Sequence, residues 1–182
     1  MKQPPARVAA LVQAGLLTVL LAASPFSHAV CNGVNINADT PDARFTSATD
    51  TVTDLATGLV WKRCPEGLSG ASCATGTAFT GTWAESLARV AAVNAAPATL
   101  GAGSNDWRLP NRTELASLVE RKCVAPAINS GIFPGTPSQS FWSGSPYALI
   151  PNLAWFVDFN AGDVGPAPLS GAKNVRLVRA GN

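Results

Sequence analysis

Histidine is nearly absent from this sequence: among 182 residues, the single example is His28. His28 lies in an N-terminal segment that is expected to be removed, so the mature chain is expected to contain no histidine. This absence excludes a Ser-His-Asp triad, a Cys-His catalytic pair and a histidine-ligated zinc or iron site. Histidine is also the commonest general acid or base. We therefore expect a protein that is not an enzyme, with no catalytic residues, no cofactor and no bound transition metal.

Residues 1–29 have the pattern of a secretory signal peptide. Lys2 and Arg7 give a basic start, and an almost wholly apolar run follows from Val8 to Ala23. Ala29 supplies the small residue before the cleavage position. A membrane anchor is the alternative, because about 20 apolar residues can span a bilayer. The signal-peptide interpretation predicts an exported protein that is periplasmic, cell-surface or secreted, with no membrane span after signal removal.

Charged residues are also scarce, at 13% of the chain against roughly 25% in an average soluble domain. Without Lys2 and Arg7, the 11 remaining Lys and Arg balance the 11 Asp and Glu. A neutral chain has no broad positive field to attract nucleic acid, so no nucleic-acid partner is expected. The hydrophobic fraction of 47% argues against disorder, and the length favours one domain, residues 30–182.

The four cysteines of the expected mature chain are even in number and indicate two disulfides in an oxidising compartment. Cys64 and Cys73 flank a short flexible loop that contains glycine, serine and proline. We predict that these two pair locally and that Cys31 pairs with Cys123. A four-cysteine zinc site is the alternative, although the close C-x-x-C spacing that such sites use is missing.

A hairpin and a first helix are predicted from local patterns. Two β-prone runs within residues 51–61 flank a turn that ends at Gly58, which can take a positive φ. A capping box of Thr82 and Glu85 begins the helix, and Pro97 ends it. By helical spacing, the face that packs on the sheet is predicted to comprise Leu87, Ala88, Ala91 and Ala95.

A second helix is predicted after the motif Trp107-Arg108-Leu109-Pro110. Asn111 is its N-cap, and Glu114 either closes a capping box or pairs with Arg108. Residues 120–122 are predicted to form a solvated helix end. The buried stripe of the helix is predicted to be Leu115, Leu118 and Val119. We interpret three arginines as ion-paired scaffold: Arg108, Arg176 and Arg179.

The C-terminal part of the chain alternates short strands with turn-rich segments. Strands are predicted at 141–143, 153–159 and 174–179, with a loop at 165–171. Helices and strands are segregated, which indicates an α+β fold with a mostly antiparallel sheet. Large aromatic side chains dominate cores, so we assign five tryptophans to the core: Trp61, Trp83, Trp107, Trp142 and Trp155.

These fragments, in this order between Asp50 and Arg179, resemble the Lcl C-terminal domain family, which is named for the C-terminal part of the Legionella collagen-like adhesin. The matching fragments are Thr53–Trp61, Trp83–Ala91, Asp106–Leu115, Phe141–Ser143, Ala154–Phe159 and Val175–Arg179.

The resemblance implies a C-type-lectin-like fold, also related in shape to the formylglycine-generating enzymes: two helices packed on a twisted, mostly antiparallel sheet, with long late loops and disulfides. Those enzymes use a cysteine pair near the C-terminal end, whereas no cysteine follows Cys123 here, so their activity is not implied. The adhesin binds sulfated host glycans and has a collagen-like region, but this chain has no Gly-X-Y repeat.

We therefore expect an exported, non-enzymatic recognition or adhesion module that binds a glycan or a surface protein. The alternative is a structural or accessory subunit of a surface or pilus-type assembly with no small-molecule ligand. Neither interpretation indicates an oligomeric state.

Long ordered loops often carry function, so we place recognition in the two late loops, residues 130–151 and 160–173. The predicted ligand contacts are Tyr147, Asn160, Asp163 and Lys173. Tyr147 is expected to be an exposed aromatic contact. The oxygen-bearing set Asp158, Asn160 and Asp163 leaves calcium as an alternative to a plain hairpin turn.

Overall fold

A computed structural model describes residues 29–34, 36–100 and 102–181. The predicted signal peptide therefore lies outside the described residues except for Ala29, and it stays a prediction. Within the described part of the chain, no helix is long and apolar enough to cross a membrane. The described residues form an α+β fold with mostly antiparallel sheets, as the segregation of helices and strands predicted.

The described elements comprise thirteen strands, two α-helices and one 3-10 helix. The helices are α1 (Trp83–Ala95), α2 (Arg112–Ala116) and the 3-10 helix Asp42–Arg44. The strands are β1 (Val30–Cys31), β2 (Phe45–Ser47), β3 (Thr51–Asp54), β4 (Leu59–Lys62), β5 (Leu68–Ser69), β6 (Thr75–Gly76), β7 (Thr80–Gly81), β8 (Cys123–Val124), β9 (Ser140–Pro146), β10 (Leu153–Asp158), β11 (Asp163–Pro168), β12 (Lys173–Asn174) and β13 (Val178–Ala180).

Two larger sheets organise the fold. One has five strands in the order β11-β10-β9-β12-β7, and the other has four in the order β13-β4-β3-β2. β12 pairs with β9 in parallel, and the other strand pairs in these sheets are antiparallel. The largest core cluster joins side chains from both sheets and α2, including Trp61, Leu115, Phe141 and Val157.

The predicted hairpin is confirmed as β3 and β4. Gly58 has a φ of 71°, and the Ala56 N–H donates to Asp54 Oδ1 at 3.0 Å. Arg44 donates to the same carboxylate through Nε at 2.8 Å. Burial raises the pKa of Asp54, but the hydrogen bonds from Arg44, Thr57 and Ala56 outweigh it and hold the pKa below its ordinary value. A buried ion pair therefore fastens this turn.

Both predicted disulfides are confirmed. Cys64 bonds to Cys73 within one loop, and Cys31 bonds to Cys123 across 92 residues. The second bond joins β1 to β8, which form a two-stranded antiparallel sheet. Because a cross-link restricts the unfolded chain, the chain-entropy relation assigns the long closure a larger stabilisation than the short one, about 4.5 against about 3 kcal/mol.

Helix α1 begins and ends as predicted, but its predicted buried face is wrong. The Thr82 N–H donates to Glu85 Oε2 at 2.7 Å, which closes the capping box. Leu87 is 42% exposed, and Ala88, Ala91 and Ala95 are exposed too. The buried residues of the helix are Ser86 and Val93. The Ser86 hydroxyl donates to the Thr82 carbonyl at 2.8 Å. This hydrogen bond satisfies the hydroxyl, so a serine can occupy the packed face of the helix.

Helix α2 is short, yet its cap is as predicted. Glu114 closes the capping box with Asn111 and also accepts from both terminal nitrogens of Arg108, at 2.7 and 2.8 Å. The predicted cap and the predicted ion pair are therefore both present. Leu115, Leu118 and Val119 are buried as predicted. The predicted helical stripe is nevertheless wrong, because α2 ends at Ala116 and Leu118 and Val119 lie beyond it.

The predicted solvated end, residues 120–122, is wrong at Glu120. Its carboxylate is buried and accepts from the N–H and the hydroxyl of Thr40, each at 2.8 Å. Burial raises the pKa of Glu120, but the hydrogen bonds from Thr40, Asp39 and Lys122 outweigh it and hold the pKa below its ordinary value. A chain segment 80 residues away in sequence thus supplies the partners that local patterns cannot show.

The predicted loop at 165–171 is also wrong, because β11 occupies much of it. β11 pairs with β10 from Asp163 opposite Asp158 to Pro168 opposite Leu153. β11 is the edge strand of its sheet, where a residue without an N–H is tolerated. Its prolines, which suggested a loop, are therefore compatible with a strand, and they block pairing with another chain.

The tryptophans and the C-terminal arginines mostly have structural roles. Arg176 is fully buried and donates to the Lys62 carbonyl at 2.8 Å and to Thr136 Oγ1 at 2.7 Å. Burial lowers the pKa of Arg176 to about 9, with Glu66 opposing the change. Arg179 lies 4.0 Å from Asp106. The fully or nearly fully buried tryptophans are Trp61, Trp107 and Trp142, whereas Trp83 and Trp155 are half-buried.

Candidate functional site

The two ends of the β9–β10 pair define two separate surfaces. At one end Ser140 lies opposite Asp158, and at the other Pro146 lies opposite Ala154. At about 3.3 Å per residue, the seven residues of β9 place these ends about 20 Å apart. The predicted contact Tyr147 follows one end, whereas Asn160 follows the other. The structure therefore does not bring the four predicted contacts together.

Asn160 and Lys173 do meet, in a groove of about 450 Å³ at the Ser140–Asp158 end. We call it the polar groove. Its lining residues are Thr80, Ser138, Gln139, Ser140, Asp158, Asn160, Ala172, Lys173 and Asn174. They come from the β9 entry, the β10 exit, β7 and β12, so four chain segments converge here.

The turn after β10 sets the position of Asn160. Asp158 Oδ1 accepts from the Asn160 N–H at 2.8 Å, and the Asp158 carbonyl accepts from the Gly162 N–H at 2.8 Å. Gly162 has a φ of 89°, which a side chain would disfavour. Asp163 pairs with Asp158 across the strands, but it is exposed and is not a lining residue.

Lys173 extends over aromatic rings. Its Nζ lies 4.3 Å from the centroid of the Phe156 ring and 5.0 Å from that of Trp142. Such contacts attract a cation electrostatically. Burial lowers the pKa of Lys173, and attraction to Asp158 opposes this. The Lys173 ammonium thus contacts the rings of Phe156 and Trp142, two residues that the sequence analysis placed on strands.

Asn174 is a buried member of the groove, with 2% of its surface exposed. Its Nδ2 donates to Gln139 Oε1 at 3.0 Å and to the Ser140 carbonyl at 3.4 Å. Its Oδ1 has no hydrogen-bond partner among the described residues, and neither has the hydroxyl oxygen of Ser138. Buried polar atoms are normally paired, so two unsatisfied oxygens belong to residues of the groove wall.

Sequence reasoning missed Ser138, Gln139 and Asn174 as site residues. Ser138 and Gln139 belong to a predicted loop of 22 residues, where nothing distinguished them from their neighbours. Asn174 offered the clearest signal, because a carboxamide at the start of a buried strand needs partners.

The opposite end of the β9–β10 pair carries residues 147–151, which we call the hairpin tip. Tyr147 is half-buried, and its ring centroid lies 5.1 Å from that of Trp155. The prediction that Tyr147 is exposed is therefore only partly confirmed. Leu149 is 80% exposed and Ile150 is 47% exposed. No charged residue occurs between Lys122 and Asp158 in the sequence, so the hairpin tip carries no charge of its own.

A larger cavity of about 560 Å³ adjoins the Cys31–Cys123 disulfide. Thr40, Glu120 and Asn129 line it, and Thr40 donates to Glu120 while its carbonyl accepts from Asn129 Nδ2 at 2.8 Å. None of the four predicted contacts lies here. The buried polar groups of this cavity, on Thr40 and Glu120, are satisfied by one another, so the polar groove is the better candidate site despite its smaller volume.

The described residues contain no group of three or more His, Cys, Asp or Glu that could hold a metal ion. Within the turn considered for calcium, Asp158 Oδ1 already accepts from the Asn160 backbone. The hairpin geometry accounts for that turn without a metal. Calcium binding itself is untested.

The sequence model of a family described as the Lcl C-terminal domain matches residues 50–179. The chain belongs to the Lcl C-terminal domain family. The match starts just before β3 and ends within β13. The five-stranded sheet, the polar groove and the hairpin tip therefore lie inside it, whereas β2 of the four-stranded sheet lies outside it. In the comparison with curated proteins, none matches this chain. Membership in the family indicates an adhesin-related module.

Proposed function

We propose that this Lcl C-terminal domain is an exported, non-enzymatic recognition module that binds a glycan or a surface protein through the polar groove. The convergence of Asn160 and Lys173, with Asp158 and Asn174, in one groove carries the proposal. Amide, hydroxyl and carboxylate groups that face a shared concave surface are the groups that orient a polar ligand. The family membership supports an adhesive role.

The chemistry of the groove favours binding over catalysis. Asp158 is the one carboxylate among its lining residues, and Lys173 the one amine. The Asp158 carboxylate is engaged in its own turn, and the Lys173 ammonium sits over two rings. Acid–base catalysis needs a group held within reach of a reacting proton and free to transfer it. We propose that the module functions without a cofactor and does not bind nucleic acid.

The proposed export and the lectin-like character have independent support. Two disulfides are typical of oxidising compartments. They are consistent with a periplasmic, cell-surface or secreted location. In C-type lectins the late part of the domain faces the ligand, and in this chain the groove is built mainly from residues after Pro137. We propose a C-type-lectin-like arrangement on this basis.

A binding screen followed by two substitutions tests the proposal. The disulfide-intact protein is screened against immobilised glycans and extracellular matrix proteins. Asn160→Ala and Lys173→Ala should each weaken binding to the captured ligand by about fivefold or more. Ser47→Ala, an exposed serine on β2 in the other sheet, is the matched control. Equal binding by all variants would refute the groove as the site.

The hairpin tip favours a second candidate function, that of a structural or accessory subunit of a surface or pilus-type assembly. Leu149 and Ile150 are adjacent and exposed, and the tip, residues 147–151, carries no charged residue. Exposed apolar patches mark interaction surfaces when they are contiguous. Sedimentation velocity over a range of protein concentrations, with Leu149→Ser/Ile150→Ser as the comparison, measures whether this surface mediates self-association.

A further inference from the structure

The N-terminal part of the described chain carries an exposed apolar surface that the proposed recognition function does not use. It is centred on the β1–β8 pair, and we call it the valine ribbon: Val30, Val34, Ile36 and Val124. We infer that the valine ribbon binds an anionic lipid bilayer and so holds the module against a membrane surface. This inference goes beyond the proposed function and does not depend on the polar groove.

The two faces of the β1–β8 pair differ. Cys31 and Cys123 lie directly opposite each other and are disulfide-bonded, and Cys123 is buried. Val30 and Val124 are also directly opposite, and successive residues of a strand point to opposite faces. The two valines therefore share the outer face, where they are 68% and 47% exposed. Because the disulfide ties the strands together, these valines are held side by side.

The exposed apolar surface continues along the chain. Val34 and Ile36 are exposed as well, and no residue from 29 to 38 is charged. Single exposed apolar residues are normal, but here four aliphatic side chains are exposed on one short uncharged segment and its paired strand. Apolar surface of this kind marks a contact with a protein or a membrane.

A cation borders the ribbon. The Asn32 N–H donates to the Lys122 carbonyl at 2.7 Å, so the pairing of the two segments continues by one residue, and strand alternation places Lys122 on the face of Val124. Arg121 pairs with Asp39 at 3.5 Å, whereas no carboxylate among the described residues forms an ion pair with Lys122. An unpaired ammonium beside aliphatic side chains complements the phosphates and acyl chains of an anionic bilayer.

The position of the ribbon in the chain favours a bilayer over another protein. Six residues, 24–29, separate Val30 from the apolar run that ends at Ala23, and six residues span at most about 20 Å when fully extended. A removed signal peptide and a retained anchor both place that run in the bilayer during export. The ribbon therefore emerges beside the membrane, and the bilayer is the surface closest to it.

Vesicle flotation measures the binding. The disulfide-intact chain that begins at Val30, the expected mature form, is mixed with vesicles made of equal parts of phosphatidylglycerol and phosphatidylcholine, and separately with vesicles of phosphatidylcholine alone. We expect the anionic vesicles to be bound about fivefold more tightly, and high salt should reduce this advantage because it screens charge. A protein that does not bind the anionic vesicles would overturn the inference.

Two variants separate the apolar contribution from the ionic one. Val30→Ser/Val124→Ser should weaken binding to the anionic vesicles about tenfold, because it removes the aliphatic groups that enter the bilayer. Lys122→Gln should remove the preference for anionic vesicles. Leu149→Ser/Ile150→Ser alters the other exposed aliphatic pair and is the matched control, which should bind like the native protein. Equal binding by the ribbon variant and the control would overturn the inference.

A second variant and a second measurement cover the case in which the first variant folds poorly. If the melting temperature of Val30→Ser/Val124→Ser falls, Val34→Ser/Ile36→Ser, which lies outside the paired strands, should still weaken vesicle binding about fivefold. Spin-labelled lipid in the vesicles broadens the NMR amide signals of the residues that touch the bilayer. We expect broadening at Val34 and Val124, and broadening centred on residues 147–151 instead would overturn the inference.

Other occupants of the ribbon give different results. Self-association in sedimentation velocity that is lost in Val30→Ser/Val124→Ser, without vesicle binding, would assign the ribbon to a second copy of this chain and overturn the bilayer inference. Ligand binding in the polar groove should be the same in the ribbon variants as in the native protein. Failure of bilayer binding is therefore distinguishable from failure of the proposed recognition function.

Discussion

The polar groove and the hairpin tip occupy opposite ends of the same two strands, β9 and β10, and they differ in almost every physical property. The groove end gathers hydroxyls, carboxamides and one opposite-charge pair from four chain segments. The tip end projects Leu149 and Ile150 into solvent, with no charged residue among residues 147–151. One pair of strands therefore carries a polar groove at one end and two exposed apolar side chains at the other.

The comparison shows that a long loop does not by itself form a binding site. A groove forms where several chain segments converge. Here β7, β12 and the entry to β9 lie beside the turn that follows β10. The tip consists of residues of the β9–β10 hairpin alone. At its base, Arg112 Cζ of α2 lies 4.6 Å from the Trp155 ring centroid. Recognition of a small polar ligand suits the first arrangement, and contact with a flat or apolar partner suits the second.

The largest expected effect comes from a fully buried residue of β9. Trp142 is fully buried, and its Nε1 donates to the Gly81 carbonyl at 3.0 Å. Trp142→Ala should lower the free energy of unfolding by about 4 kcal/mol, because a large buried aromatic leaves a cavity. Urea denaturation measures this. Trp142→Phe is the milder comparison, and an Ala variant as stable as the native protein would contradict the assignment of Trp142 to the core.

The next effect should fall on the tip side alone. Glu114 accepts from Arg108 and caps α2, the helix that carries Arg112. Glu114→Gln should cost about 1 kcal/mol of stability at neutral pH, because glutamine can keep the capping box but loses the charge-assisted pair with Arg108. Chemical denaturation measures the loss, and groove binding should be retained. A variant that folds well but loses groove binding would contradict the separation of the two ends.

Acid should remove the same contribution. The Arg108 hydrogen bond lowers the pKa of Glu114 while burial opposes it. A carboxyl whose folded pKa is lowered stabilises the fold above its unfolded pKa, about 4.3, and loses that contribution as pH falls through the folded pKa. Stability measured from pH 6 down to pH 3 should fall more steeply for the native chain than for Glu114→Gln. Parallel curves would contradict the assignment.

A smaller effect is expected from the tip itself. Leu149→Ser/Ile150→Ser removes exposed apolar surface, so the free energy of unfolding should change by about 0.5 kcal/mol or less. Ligand binding in the groove should persist, and any self-association should weaken. Loss of ligand binding in this variant would transfer recognition from the groove to the tip.

The smallest effect should follow removal of divalent cations. Because the turn geometry at Asp158 and Asn160 is accounted for by hydrogen bonds within the chain, chelation with EDTA should leave ligand affinity and melting temperature the same. Both quantities are measured before and after chelation and again with added calcium. Loss of binding that calcium restores would show that calcium belongs to the site.

Local features of this fold were predictable from the sequence because they depend on neighbouring residues. The capping boxes at Thr82 and Asn111 and the turn at Gly58 each involve groups within four residues of one another. The packed face of α1 was not predictable in this way. Ser86 is polar, so its burial was not expected, and only the structure shows that its hydroxyl is satisfied by the Thr82 carbonyl. β11 was missed because prolines normally indicate a loop, whereas an edge strand accepts them.

The site was predictable only in part for a related reason. Asn160 and Lys173 were identified as loop residues, but their meeting depends on the register of β9, β10 and β12. The same register carries Tyr147 to the far end of the sheet. Ser138 and Asn174 stand out only because a buried side-chain oxygen of each has no hydrogen-bond partner among the described residues. Such a missing partner can be recognised only in the packed structure.

The most direct test is an NMR titration of the isotopically labelled, disulfide-intact protein with the ligand captured in the screen of glycans and matrix proteins. Backbone amide shifts report where the ligand sits. We expect the largest changes at Gln139, Asn160 and Lys173, with Leu149 and Ile150 unaffected. Changes centred on residues 147–151, with the groove amides unmoved, would contradict the account.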